Sequence, residues 1–307
     1  MRALFNKTLI EIAKKDPRIH MVLADIGYGE IEPFRDTFPD RYYNVGVAEQ
    51  NMTGVACGIA MEGNIAITYS IANFPTLRCL EQIRNDVCYH NANVKIVIIG
   101  GGVSYGPLGM SHHSTEDIAI MRALPNMVVE VPCDNYEAEA ATHAMIAYDG
   151  PFYYRCGYKG ESDIHDGPVD FKLGKAITVK EGSDITLMFA GPIGINVKNA
   201  AAMLEKEGIS CRVVSMHTIK PIDKEAILDA AKNTGGIITV EEHNLDGGLG
   251  SAVAEVLADE NVMPKVFKRF ALPNVNVSLI GHQEWIRDQY GMSAEKIAQR
   301  VKEALNK

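Results

Sequence analysis

The chain has 307 residues, of which 47% are hydrophobic and 22% charged, an ordinary globular composition that excludes disordered and fibrous classes. Its net charge is −9 and it has no basic run of five or more residues, which argues against a nucleic-acid binder. Local cations and helix N-termini can still bind an anionic ligand. The opening run, Arg2–Lys15, has the charge spacing of an amphipathic helix and not of a secretion signal. Strand-length apolar runs then alternate with segments of helical period. Strands are expected at His20–Ala24, Ile65–Thr68, Val94–Ile99, Met127–Val131 and Phe152–Arg155. Helices are expected at Ala48–Glu62, Thr76–Tyr89, Thr115–Ala123 and Tyr136–Tyr148. This alternation, with near-continuously apolar strands, predicts a parallel sheet covered on both faces.

The pattern stops from Gly157 to Lys172, where a polar, turn-rich stretch reads as a linker. A second alternation follows, with strands at Ile185–Ala190, Cys211–Ser215, Ile237–Glu241 and Lys265–Phe270. Its helices are expected at Ile195–Glu207, Lys224–Lys232, Ser251–Ala258 and Ala294–Leu305, with Asp223 and Ser293 as N-caps. Two α/β domains are therefore expected: 1-160, a linker at 161-176, and 177-307. The six cysteines show no metal-ligand spacing and read as reduced, buried thiols. No apolar run is long enough to span a membrane, and the expected location is the cytoplasm.

The densest chemical signal is Asn44–Gly63, N-V-G-V-A-E-Q-N-M-T-G-V-A-C-G-I-A-M-E-G. One carboxylate, Glu49, opens a helix of small apolar residues. An acid there is ordinarily a first-turn residue stabilised by the helix dipole. The alternative is a buried acid able to pass a proton to a bound ring nitrogen. The segment resembles the pyrimidine-domain motif V-G-x-A-E-Q-N-M-x-G-x-A-x-G-x-A of transketolases and deoxyxylulose-phosphate synthases. In that family the matching Glu hydrogen-bonds N1′ of the aminopyrimidine of thiamine diphosphate, which implies that role for Glu49.

The resemblance extends along nearly the whole chain. L-E-Q-I-R-N-D-V, at Leu80–Val87, resembles the family's helix after the loop that stacks on the pyrimidine. Tyr69 and Phe74 precede it, and Phe74 is the candidate stacking ring; core packing is the other reading of Phe74. S-Y-G-P-L-G-M-S-H-H-S-T-E-D-I-A, at Ser104–Ala119, resembles the family's loop whose His approaches the reacting end of the substrate. That implies His112 as a catalytic residue and places His113 beside it in the substrate group. A metal pair or a solvated surface loop are the other readings of the two histidines. The resemblance further implies Asp25 near the thiazolium, and Arg155 and Arg2 as substrate-binding cations. D-G-G-L-G, at Asp246–Gly250, lacks dinucleotide spacing and reads as a turn entering a helix. It lies in a region similar to the transketolase C-terminal domain.

Two departures carry information. The G-D-G…N-N fingerprint that anchors Mg²⁺ (or Ca²⁺ or Mn²⁺) and the diphosphate is absent, and Gly100–Gly102 offers no acid in its place. The expectation is a separate partner chain that carries the metal and diphosphate, in an α2β2 heterotetramer. Leu108 stands where the family has an Asp that contacts a donor hydroxyl, and Gly100 stands where it has a His. Common ketose phosphates are therefore expected to be poor donors, and branched, deoxy or sulfonated sugars better ones. The activity implied is transfer of a two-carbon ketol unit from a ketose to an aldose. The β subunit of a 2-oxoacid dehydrogenase and a non-catalytic assembly subunit are the alternatives.

Overall fold

The structure, a computed structural model, describes residues 1–158 and 160–306. The first half contains α1 (Arg2–Ala13), β1 (Ile19–Leu23), α2 (Glu32–Thr37), β2 (Tyr42–Asn44), α3 (Glu49–Met61) and β3 (Ile65–Ile71). It continues with α4 (Leu80–Gln82), which runs into a π-helical stretch at Ile83–Cys88, then β4 (Val94–Ile99), α5 (Asp117–Ala123), β5 (Val128–Glu130), α6 (Asn135–Ala147) and β6 (Phe152–Cys156). The second half contains β7 (Ile177–Lys180), β8 (Ile185–Ala190), α7 (Gly194–Lys206), β9 (Cys211–Ser215), β10 (Thr218–Lys220), α8 (Lys224–Asn233) and β11 (Gly236–Asn244). It closes with α9 (Leu249–Asp259), β12 (Val266–Leu272), α10 (Gln283–Gln289) and α11 (Ala294–Ala304).

Seven strands form the first sheet in the order β10-β5-β6-β4-β3-β1-β2, all parallel except β10, which runs antiparallel to β5. The second sheet has the order β12-β11-β8-β9-β7 and is parallel apart from β7. Its strands β8 and β11 are buried at every position, as a sheet covered on both faces requires. Strand β10 belongs by sequence to the second half but hydrogen-bonds to the first sheet. The core also crosses between the halves: Val129 and Val131 pack in one cluster with Met188, Val214 and Met216.

Alternation along β1 and β3 sorts side chains between the two faces of the first sheet. Met21, Leu23, Ile67 and Tyr69 pack with Phe5 and Leu9 of α1. Val22, Ala24 and Ala66 pack with Met52 and Ala56 of α3. Burying each large aliphatic side chain contributes about 1.5–3 kcal/mol before entropy is counted.

Helix caps follow the sequence with one exception. Asp223 accepts from the Ala226 N–H at 3.2 Å and caps α8. Ser293 stands at the cap position of α11, but its hydroxyl donates to Asp288 at 2.8 Å instead. The D-G-G-L-G turn has no room for phosphate, because the Glu241 carboxylate already accepts from the N–H groups of Leu249 and Gly250 at 2.6 and 2.7 Å. All six cysteines are free and buried. No helix among the described residues is long and apolar enough to cross a membrane.

Candidate active site

Ligands in open parallel sheets bind beyond the carboxyl ends of the strands. Segments that follow β1, β2, β3 and β4 carry the candidate residues here. Glu49 is the first residue of α3, and its N-cap Ala48 offers no side-chain acceptor. The Glu49 carboxylate is therefore a negative group at the positive end of the helix. It is buried, and Oε2 accepts from Arg78 Nη1 at 2.6 Å. Among the described residues Oε1 takes no hydrogen bond. The Arg78 guanidinium is half exposed and lies 5.4 Å from the centre of the Phe74 ring. Phe74 meets His112 edge-on, with centroids 5.3 Å apart. His112 Nδ1 lies 2.9 Å from Ser111 Oγ, and Asn73 donates to the Ser111 carbonyl at 3.0 Å. Glu49, Arg78, Phe74 and His112 thus form one continuous chain of contacts built from three separate segments.

Other expected site residues fall elsewhere. Tyr69 is turned to the α1 face of the sheet by strand alternation, so it cannot share a pocket with Glu49 on the α3 side. It instead lines a cavity of about 240 Å³ together with Arg2, Gly27, Tyr28 and Tyr105. Burial pushes its phenol pKa above the ordinary value. Arg2 reaches that cavity, but its charge is paired with Glu30 at 2.6 Å. Tyr105 connects the cavity to the candidate site, its ring 6.0 Å from His112.

Arg155, expected at the substrate, lies in β6. Its side chain is buried, with Nε donating to Asp117 at 2.7 Å and Nη2 to the carbonyls of Ser114 and Glu242 at 3.1 and 3.0 Å. It ties the C-terminal limb of the histidine loop to β11 from within the core, where its charge is already neutralised by Asp117. The His113 ring is buried, beside the backbone of Gly106 and Val277, and burial pushes its pKa down. Asp25 is exposed just past β1 in a left-handed conformation, φ 55°. The Tyr28 hydroxyl at 2.6 Å, then the Asn44 amide at 3.0 Å, hold its carboxyl below the usual range.

The residue that sequence reasoning missed is Arg78. A cation four residues after Phe74, in a turn-rich stretch, was the available signal. The glycines at 100–102 are explained by close approach: a Cβ would collide with the Tyr105 ring at Gly100, with the Arg155 guanidinium at Gly101 and with the Glu242 carboxylate at Gly102.

The donor set fits one end of thiamine diphosphate. A buried acid with a spare oxygen and a partly exposed aromatic face suit an aminopyrimidine. Around them, among the described residues, stand no oxygen ligands of the kind a hard divalent cation and a diphosphate require. The residues present therefore fit the pyrimidine half of the cofactor and do not fit its metal-bound half.

Comparison with known proteins gives the family. Residues 1–157 match the family model "Transketolase, pyrimidine binding domain" and residues 174–297 match "Transketolase, C-terminal domain". The chain is 37% identical to one of the subunits of an apulose-4-phosphate transketolase from Phocaeicola vulgatus, covering 100% of this chain and 97% of that one. It is 35% identical to a 6-deoxy-6-sulfo-D-fructose transketolase subunit of a Clostridium species, covering 99% and 94%. Against the 1-deoxy-D-xylulose-5-phosphate synthase of Heliobacterium modesticaldum, at 34% identity, it spans 46% of that protein's length. A solved structure described as "Split gene transketolase, inactive beta4 tetramer" superposes with a TM-score of 0.89 at 37% identity, covering 99% of this chain and 97% of that one.

Proposed function

Because the chain belongs to the transketolase family, as a subunit of the split-gene kind, we propose that it is the pyrimidine-binding half of a two-chain ketol transferase. The reading is that it becomes active only when a second chain supplies the diphosphate and metal site. When bound, thiamine diphosphate supplies the nucleophilic carbon that cleaves a ketose and carries its two-carbon unit to an aldose. Glu49 holds a proton at N1′ of the aminopyrimidine, the place where its spare Oε1 is available. Phe74 lies against the flat face of that ring. His112 orients the donor's hydroxyl groups and shields the site edge next to Phe74. Arg155 and Asp117 act one layer back, by fixing the loop that carries His112.

The observation that carries this reading is the contact chain from Glu49 through Arg78 and Phe74 to His112, which offers no metal-binding cluster of oxygens among the described residues. Exposed apolar side chains adjoin each site segment: Tyr28 beside Asp25, Val47 before Glu49, Leu77 before Arg78, and Leu108 and Met110 before His112. Such a patch around polar residues marks a protein-binding surface. An α2β2 arrangement would give two sites.

For the donor, the cavity beside Tyr105 is walled by tyrosines and isoleucines in equal part, and its cation, Arg2, is already paired with Glu30. Leu108 offers no hydrogen bond to a sugar hydroxyl, and leaving one unpaired costs about 1–3 kcal/mol if it is buried. Sugars with an altered hydroxyl pattern are favoured, in keeping with relatives named for apulose 4-phosphate and for a sulfonated deoxyfructose.

The test is Glu49→Ala in the reconstituted pair. Assembly should persist while ketol transfer is lost; unchanged turnover would refute the assigned role. Release of CO2 from a 2-oxoacid by the unaltered pair would replace ketol transfer with oxoacid chemistry.

A further inference from the structure

A second cluster of reactive side chains lies away from the candidate site, where the connecting segment meets the first sheet. Cys133 follows β5, Glu137 is in the first turn of α6, and His165 lies in the segment between β6 and β7. The thiol and the carboxylate are fully buried, and the imidazole nearly so. His165 Nε2 lies 2.9 Å from Glu137 Oε1 and 3.9 Å from Cys133 Sγ, and one ligand atom of each residue falls within 4.8 Å of the others. The second Glu137 oxygen accepts from the Cys133 N–H at 2.9 Å, which fixes the carboxylate.

The framework around these three is already rigid. Asp134 caps α6 through Oδ1, and its Oδ2 accepts from the N–H groups of Ile164 and His165 at 2.9 and 2.8 Å. The segment that carries His165 is therefore held in place by the same loop that carries Cys133. The surroundings are rich in buried acid: Asp134, Glu137 and Glu130 are all enclosed. Neither Glu130 oxygen has a hydrogen-bond partner among the described residues, nor has His217 Nε2. Buried polar groups left unpaired point to an occupant that the protein atoms alone do not supply. Asp163 and Asp166 are exposed on the outer side of the same segment, where Asn135 donates to Asp163 at 2.8 Å and Lys198 pairs with Asp166 at 3.6 Å.

We propose that Cys133, Glu137 and His165 form a binding site for a divalent transition ion of the zinc type, coordinated through Sγ, a carboxylate oxygen and Nε2. A sulfur, nitrogen and oxygen donor set is that of a borderline-soft metal, and it differs from the all-oxygen set that magnesium or calcium takes. On binding, the Cys133 thiol proton leaves to solvent and the thiolate pair forms the metal–sulfur bond. The His165–Glu137 hydrogen bond is broken: the Nε2 proton leaves to solvent, the neutral ring carries its one proton on Nδ1, and the Nε2 lone pair and a carboxylate oxygen bind the ion. No electron is transferred. Water completes the tetrahedron. The ion clips the connecting segment onto the first domain, independently of ketol transfer.

The experiment uses the full chain, purified metal-free and titrated with Co²⁺ alone. The expected result is one Co²⁺ per chain, with the near-ultraviolet absorption of a thiolate-to-cobalt bond. Zn²⁺ should displace it and raise the melting temperature. Cys133→Ser should remove the absorption, and His165→Ala should weaken binding by more than the roughly 10–100-fold that loss of an outer-shell partner costs. X-ray absorption on the unaltered cobalt-loaded chain should show one sulfur and otherwise nitrogen and oxygen neighbours, which keeps the test decisive if a variant misfolds. Substoichiometric binding, a first shell without sulfur, or thiolate absorption retained in a folded Cys133→Ser chain would each overturn the proposal.

Discussion

Two of the arginine–carboxylate pairs in the first domain, Arg155–Asp117 at 2.7 Å and Arg78–Glu49 at 2.6 Å, are nearly equal in length and differ in exposure. In the first, both side chains are buried, at 4% and 0% exposure. Asp117 also accepts from the Tyr153 hydroxyl at 2.6 Å, and Nη2 of the arginine reaches two carbonyls. In the second, the acid is 5% exposed and the guanidinium 52%. The closed pair is committed to the scaffold. An open pair leaves a buried acid whose cation can swing into solvent, and that is the condition for a proton-handling site.

Removing one partner of the closed pair should have the largest effect on stability. Asp117→Ala strands a buried guanidinium and should cost roughly 3–5 kcal/mol in denaturant unfolding, whereas replacing both residues by apolar ones of similar volume should recover most of the loss. A loss below about 1 kcal/mol in the single variant would show the pair to be looser than its geometry. Lys95 sharpens the point, as a buried cation whose ammonium donates to backbone carbonyls, those of Tyr148 and Gly150 at 2.6 and 2.9 Å. Burial pushes its pKa down to about 7. The unfolded chain then binds more protons between that value and the ordinary one near about 10.4. Stability should rise with pH across this window, and Lys95→Met should flatten the slope.

Effects on the open side should be smaller for folding and specific for the cofactor. Phe74→Ala should raise the thiamine diphosphate Kd of the assembled pair, since ring stacking contributes about 0.5–1.5 kcal/mol beyond buried area. It should leave the unfolding midpoint of the chain nearly unchanged. Arg78→Ala should have the least effect on stability, no more than about 1 kcal/mol for a pair screened by solvent on one side. A loss as large as that of Asp117→Ala would erase the distinction between the two pairs.

The alternation of apolar runs placed most strands and helices, and Glu49 at a helix start, because those features depend on local period and composition. What escaped depends on tertiary partners. Thr218–Lys220 is too short to read as a strand, and it becomes one only because β5 offers it an antiparallel edge. Helices α2 and α10 are six and seven residues long, below the length at which period is visible. Arg155 resembled a substrate arginine because its burial is set by Asp117, 38 positions earlier. The side to which Tyr69 turns was readable in principle, since residues of β3 alternate between α1 and α3. Arg78 left only its spacing from Phe74 as a sign, because its pairing with Glu49, 29 residues before it, is set by the fold.

The central claim is that this chain holds the acid and a second chain holds the phosphates. Ketol transfer with thiamine diphosphate and Mg²⁺ should be measured for the purified chain alone and after addition of a diphosphate-binding partner. The account predicts no turnover alone and turnover on mixing. Sustained transfer by the lone chain would contradict it.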